Sequence, residues 1–468
     1  MKQNNVLLIN PWIYDFAAYD FWNKPVGLLS IGNTLSRNGF STHLIDCLDR
    51  HQLPPPLQNN KKYATGKFIR TPAPKPHALS HIPRHYCRYG LPLKLFLKQL
   101  NSIPTPDVVM ITSGMTYWYE GAFFAIRVIR KKFPEAPIIL GGIYATLCYE
   151  HADRHAGADY VIKGKGEEAA LKLACLLTGH RGAETDTLTA IPTASYHYYP
   201  DLKSIPILTS VGCPFRCSFC ASHLLFDKFI QRDPAEVIGE IHSYYSKRHV
   251  RHFAFFDDAL LINQERHLSV ILEGIKALKV RAAFHTPNGI HPREMTPELA
   301  RQMAETNFQT IRLSFESIST SRQKEMGYKV TNDALANSVD YLEAAGYARK
   351  DLGVYVIMGL PEQSVDEVVE SMLFVHGLGA KIYLSSFSPI PGTRDWEKSV
   401  NLYNLPNSLD PLLTNNTIYP LHRKDFTYGM FDTLRNFSKV LNHSLDQNIN
   451  LVTSTEISRV MRKLFAGD

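Results

Sequence analysis

Three of the seven cysteines of this 468-residue chain lie within eight residues, in the run Cys213-Pro-Phe-Arg-Cys217-Ser-Phe-Cys220. No other segment constrains the chemistry as tightly. A tetrahedral zinc site needs a fourth ligand, whereas three thiolates hold an iron–sulfur cluster and leave one iron open to a substrate or cofactor. No second Cys/His pair stands nearby; His223 is the one close candidate and reads as a surface or neighbouring residue. The spacing therefore favours a cluster with a free iron over a zinc knuckle or three incidental core cysteines.

The surroundings fit such a site. A short apolar strand is expected at 205–211. After the cysteines, Asp233, Pro234 and Glu236 read as N-cap, N1 and N3 of a helix with Val237, Ile241, Tyr244 and Tyr245 as its apolar stripe. A chain of this length with 44% hydrophobic residues should form two or three domains. Its charge of +7 is spread without a basic tract, so nucleic-acid binding is not indicated. No stretch reaches the roughly 18 apolar residues of a membrane span, and residues 1–10 read as a first strand rather than a signal peptide. The expectation is a soluble, cytoplasmic protein. A reducing compartment suits a low-potential cluster, and the cysteines are too few and too clustered for a disulfide framework.

In the N-terminal part, strands at 5–10, 41–46, 107–112, 137–141 and 158–162 alternate with helices at 26–38 and 119–133 and another after 162. This is the pattern of a Rossmann-like, doubly wound parallel sheet over 1–180. Ligands bind beyond the carboxyl ends of such strands. The residues there are small or permissive: Pro11; Thr112, Ser113 and Gly114; Gly141 and Gly142; Gly164, Gly166 and Glu167. They suit one face of a large flat cofactor, and the lack of Gly-x-Gly-x-x-Gly after the first strand argues against a nicotinamide or flavin site. A proline-rich, basic insert at 49–100 is too long for an ordinary loop and reads either as a lid or as a solvated excursion. After a linker at 181–203, strands at 253–257, 282–285, 310–316, 352–358 and 382–387 alternate with helices. They suggest an open partial β/α barrel over 204–396, its site at the strand C-termini. Thr296 and Ser364 mark helix starts. Polar residues gather where that site would be: Asp257 and Asp258, Ser314 and Glu316, and Gly359 to Glu362. Helical patterns fill 397–468. His285 and His291 fall near the site and read more readily as packed histidines.

With Phe219 before the last cysteine, the run resembles the signature of the radical S-adenosylmethionine (SAM) superfamily. The resemblance implies a [4Fe–4S] cluster on Cys213, Cys217 and Cys220 whose open iron binds SAM; reductive cleavage then yields a 5′-deoxyadenosyl radical. By the same resemblance, Ser314-Phe315-Glu316-Ser317 matches a Gly-x-Glu-Ser element with Ser314 in place of glycine, and Glu316 contacts SAM. Ile357-x-Gly359-x-x-Glu362 supports the adenine end, with Tyr355 replacing a glycine. Asp257 or Asp258 stands where a Gly-Gly-Glu element is expected to receive the methionyl amine. The order of Pro25 to Leu29, Gly141 to Thr146 and Gly164-x-Gly166-Glu167 looks like the cobalamin-binding domain of the B12-dependent branch. The Asp-x-His-x-x-Gly motif that supplies a histidine to cobalt is absent. The resemblance implies C-methylation of an unactivated carbon, an electron donor such as flavodoxin or ferredoxin, and an unidentified small-molecule or peptide substrate. Cyclisation or rearrangement, with or without cobalamin, and a non-catalytic iron–sulfur redox protein are the alternatives.

Overall fold

Continuous apolar runs such as Val6 to Ile9, each residue wholly buried, pair side by side and are covered on both faces. The computed structural model describes residues 4–181, 191, 193–406 and 408–453; residues 182–190 and 192 of the expected linker and 454–468 of the C-terminal region lie outside the described residues. The chain forms two compact units. The first is Met1–Pro206 with Leu224–Ile230 and Leu409–Asn415, the second Ile207–His223 with Gln231–Ser408 and Asn416–Asp468.

In the first unit, five parallel strands lie in the order Ser41–Asp46, Asn5–Asn10, Val108–Ile111, Ile138–Leu140, Tyr160–Val161. The order reverses between Asn5–Asn10 and Val108–Ile111, the kind of switch point beyond which ligands bind. Helices Val26–Arg37 and Glu167–Thr178 pack on the core around Leu28, Leu35, Ala170 and Leu171. The insert is more ordered than its prolines suggest. Ile13–Asp15, Cys87–Tyr89 and Arg70–Pro72 form an antiparallel sheet, and Leu93–Ser102 is a helix. Three-residue strands leave no periodicity to read. A buried guanidinium organises this region: Arg50 pairs with Asp20 at 2.8 Å and donates to Asn60 Oδ1 and the Ala64 carbonyl, both at 3.0 Å. Residues 409–415 also belong here, with Asn415 donating to Asp15 and the Tyr119 hydroxyl to Asp410, each at 2.9 Å.

The second unit carries the open barrel as two sheets. One orders Phe308–Thr310, Ala283–His285 and His252–Phe255; the other orders Arg312–Glu316, Gly353–Met358 and Lys381–Ser386. The strand expected at 310–316 is thus two strands that change sheets at Ile311, and that expected at 205–211 divides into Ser204–Ile207 and Ser210–Val211. Stacked Phe253, Phe255, Phe284 and Phe308 fill the first sheet's core. The expected caps form: Asp233, Thr296 and Ser364 accept from the N–H of Ala235, Leu299 and Glu367. Helix Tyr428–Asp446 buries Phe431, Leu434, Phe437 and Leu441, and its Asn442 bonds both the N–H and the carbonyl of Ile382 at 2.8 Å. That blocks the free edge of Lys381–Ser386.

Candidate active site

The cysteine loop begins with Gly212 at φ +75°, a turn that residues with a Cβ rarely make. Cys217 is buried with its Sγ 3.4 Å from the Met326 carbonyl, while Cys213 and Cys220 are half-buried. Ser218 ties the loop to helix Arg394–Tyr403, its Oγ donating to Asp395 Oδ2 at 2.9 Å and its carbonyl accepting from the Asp395 N–H at 3.0 Å. Phe215, Phe219, Met326, Ile357, Leu360 and Phe387 form the apolar bed. Burial raises all three thiols, Cys213 to about 12 and Cys220 to about 11, and neighbouring cysteines add to both shifts. Thiolates there require cationic compensation, which a cluster's irons supply. Among the described residues no three His, Cys, Asp or Glu side chains are grouped to hold a single metal ion; the thiolates of a cube go to separate irons and need not converge on one point.

The strand-end acids, indistinguishable in sequence, separate here. Asp257 Oδ1 receives the Thr209 N–H, Thr209 Oγ1 and Ser210 Oγ at 3.0, 2.8 and 2.6 Å, so it braces the preceding strand. Burial lifts its carboxyl to about 6, and Oδ2 is buried without a partner. Asp258 keeps an exposed face, accepts from Ser222 Oγ at 2.5 Å and acts electrostatically on Cys213 and Cys220; burial of its carboxyl end raises it as well. Glu316 is buried at φ +71°, a strained backbone for a residue with a side chain, and its Oε1 meets Lys329 Nζ at 2.8 Å.

Ser314 is buried on the same strand, and Ile357 packs beside Cys217 and Phe219. Gly359, at φ +85°, opens a loop that Gln363 organises from within: Gln363 Oε1 accepts from the N–H of Gly359 (2.8 Å) and Leu360 (3.1 Å), and its Nε2 donates to the Ile357 carbonyl (3.0 Å). Glu362 turns to solvent. Sequence reasoning missed Gln363, one residue from the motif it did read, and Lys329, which no motif marks. His285 sits within its sheet at 3.2 Å from His252 and 3.1 Å from Thr310, and His291 meets Phe215 edge-on; burial pushes both to about 3.

In the first unit, a cleft of about 120 Å³ opens among Gly27, Thr112, Gly141, Gly142, Gly164, Gly166 and Glu167 over an apolar floor that includes Ile31, Met110 and Ala170. Six of the expected cobalamin residues are here. Pro11, Ser113 and Gly114 are not in its lining; Ser113 instead bridges two loops, donating to the Gly141 carbonyl at 2.6 Å and accepting from the Ala145 N–H at 3.2 Å. A Cβ on Gly142, at φ +97°, would lie 2.4 Å from the Ser113 carbonyl oxygen, whereas one on Gly27 or Gly164 would meet nothing within 4 Å. Its glycine walls and apolar floor fit part of a bulky cofactor such as cobalamin.

Residues 207–375 match the radical SAM superfamily, and residues 96–174 match the B12 binding domain. The chain is 25% identical over 392 residues to an uncharacterised methyltransferase from Pyrococcus horikoshii, covering 77% of this chain and 78% of that one. It is 26% identical over 238 residues to the bacteriochlorophyllide d C-12(1)-methyltransferase of Chlorobaculum tepidum, 47% of this chain and 50% of that one. Over 203 residues it is 27% identical to the anaerobic magnesium-protoporphyrin IX monomethyl ester cyclase of Cereibacter sphaeroides, 36% of this chain and 33% of that one. Its fold is that of the radical SAM methyltransferase TsrM of Kitasatospora setae. With cobalamin and a [4Fe–4S] cluster bound, that structure has a TM-score of 0.62 at 16% identity, over 86% of this chain and 75% of that one.

Proposed function

This chain belongs to the radical SAM superfamily, in the branch that carries a B12-binding domain, and we propose that it is a cobalamin-dependent methyltransferase acting on an unactivated carbon. The observation that carries the reading is that one chain holds both a half-open cysteine triad inside the radical SAM match and a glycine-walled cleft whose lining from Met110 to Ala170 falls inside the B12-binding match. When bound, the cluster supplies the electron that cleaves SAM and cobalamin carries the methyl group.

The chain's residues then have distinct tasks. Cys213, Cys217 and Cys220 hold the cluster. Asp258, the exposed acid beside them, accepts the methionyl ammonium, and Asp257 holds the strand end in place. Glu316 and Ser314 line the polar side of the SAM site; Phe219 and Ile357 pack its apolar side, and Gln363 keeps the Gly359 loop in shape. Gly27, Thr112, Gly141, Gly142, Gly164, Gly166 and Glu167 hold an arm of cobalamin, and Pro11, Ser113 and Gly114 shape the adjoining loops. A low-potential protein such as flavodoxin or ferredoxin delivers the electron.

The test is anaerobic reconstitution with iron, sulfide and hydroxocobalamin, metal counts, and turnover with SAM carrying a deuterated methyl group. Bacteriochlorophyllide d and magnesium-protoporphyrin IX monomethyl ester, named for relatives, are the first acceptors to try. Iron with stoichiometric cobalt and transferred label supports the reading; absence of cobalt binding refutes it. Radical cyclisation is the second reading, favoured by the cyclase relative. It predicts SAM cleavage with a mass change in the product but no deuterium.

A further inference from the structure

Lys329 has no place in the sequence motifs, yet it is only 6% exposed and lies beside the cysteine loop. It follows Gly327 and Tyr328, both at positive φ, in a turn that also brings the Met326 carbonyl to Cys217 Sγ. Its Nζ is 2.8 Å from Glu316 Oε1 and 5.4 Å from the ring centroid of Phe219, the residue between Ser218 and Cys220. Taking an ammonium out of water costs several kcal/mol, so a lysine in this position requires negative charge around it. Glu316 supplies part of that charge. Burial opposes the lysine's charge, and after Glu316 the groups that favour it are Cys217 and Cys220. The neighbouring His291 is held uncharged by burial and adds no cation.

We propose that Lys329 is a built-in counter-cation of the cluster on Cys213, Cys217 and Cys220, favouring its reduced form. Three thiolates leave the loaded cluster net negative, and one-electron reduction deepens that charge. A fixed buried cation stabilises the reduced state more than the oxidised one and so raises the potential at which the electron enters. Lys329 is a positioning and electrostatic residue in this role; it donates nothing to the reaction. The alternative is a plain structural ion pair with Glu316.

The inference rests on the cluster reading, so iron and sulfide counts on the wild type come first; a wild type without iron overturns that reading itself. With a loaded protein, the test is a redox titration followed by electron paramagnetic resonance. K329M should lower the reduced-to-oxidised ratio at a given potential at least tenfold, a shift of 59 mV or more to the negative. K329R should stay close to wild type. In the double variant E316Q/K329M the potential should remain more negative than wild type. A wild-type potential in K329M, or its full recovery in the double variant, overturns the proposal. If K329M takes up no iron, K329Q is loaded and titrated in its place, with the same negative shift expected; a wild-type potential in K329Q overturns the proposal.

Discussion

The cysteine loop of the second unit and the glycine cleft of the first are built by opposite means. The loop is made of side chains: three thiols, an exposed acid and a buried ion pair, with charges placed against one another. The cleft is made of missing side chains, since Gly27 and Gly164 leave room and Gly142 lets two loops close on each other. A site built from functional groups fails when one group is removed. A site built from space fails when something is added.

The largest effect expected is for Cys217→Ser. Iron uptake and SAM cleavage should fall to background while cobalt uptake stays at the wild-type level; joint loss of iron and cobalt would break the contrast. Next is Gly27→Leu, near the start of helix Val26–Arg37, where an added Cβ meets no neighbour. Cobalamin affinity by absorbance titration should weaken at least tenfold, about 1.4 kcal/mol. Iron content should hold, and the melting temperature should not fall, because glycine is a poor helix residue.

The third prediction concerns pH. Burial raises Asp257 from 3.8 to about 6, so the protonated form is favoured in the folded state. Its contribution to stability is fully present below pH 3.8 and is lost as pH rises through about 6, at most about 3 kcal/mol. Asp257→Asn removes this dependence. Denaturant melts of the cluster-free proteins at pH 5 and pH 8 should show wild type losing stability relative to the variant; parallel losses would refute the assignment. The smallest effect is for Ser113→Ala, which removes a strut beside the cleft. It should cost about 1 kcal/mol in urea unfolding and change cobalamin affinity less than threefold.

Legibility differed between the two regions for the same reason. Cysteine spacing is a local property, so the proposed cluster loop could be picked out from eight residues. The caps at Asp233, Thr296 and Ser364 were local too, each needing only a backbone N–H two or three residues on. The glycines could be read as a set of permissive loop ends, but not as a cleft, because which loops face one another depends on strand order. The motif reading singled out Glu362, whereas the buried work of that loop falls to Gln363; a residue's direction from a loop is invisible to a pattern. The insert's small sheet escaped because strands of three residues carry no period.

The sequence by itself determined that the chain has alternating strands and helices in two regions, three closely spaced cysteines after a strand, and polar residues at successive strand ends. These follow from periodicity, turn chemistry and ligand spacing, all of which act over a few residues. Only the tertiary structure decided that Asp257 turns inward while Asp258 stays open beside the cysteines, that Glu316 is held at a strained angle against Lys329, and that an edge strand is closed by Asn442. Those outcomes depend on burial and on charges brought together from distant positions, and the free energy of a buried charge is set by neighbours that the local sequence does not name.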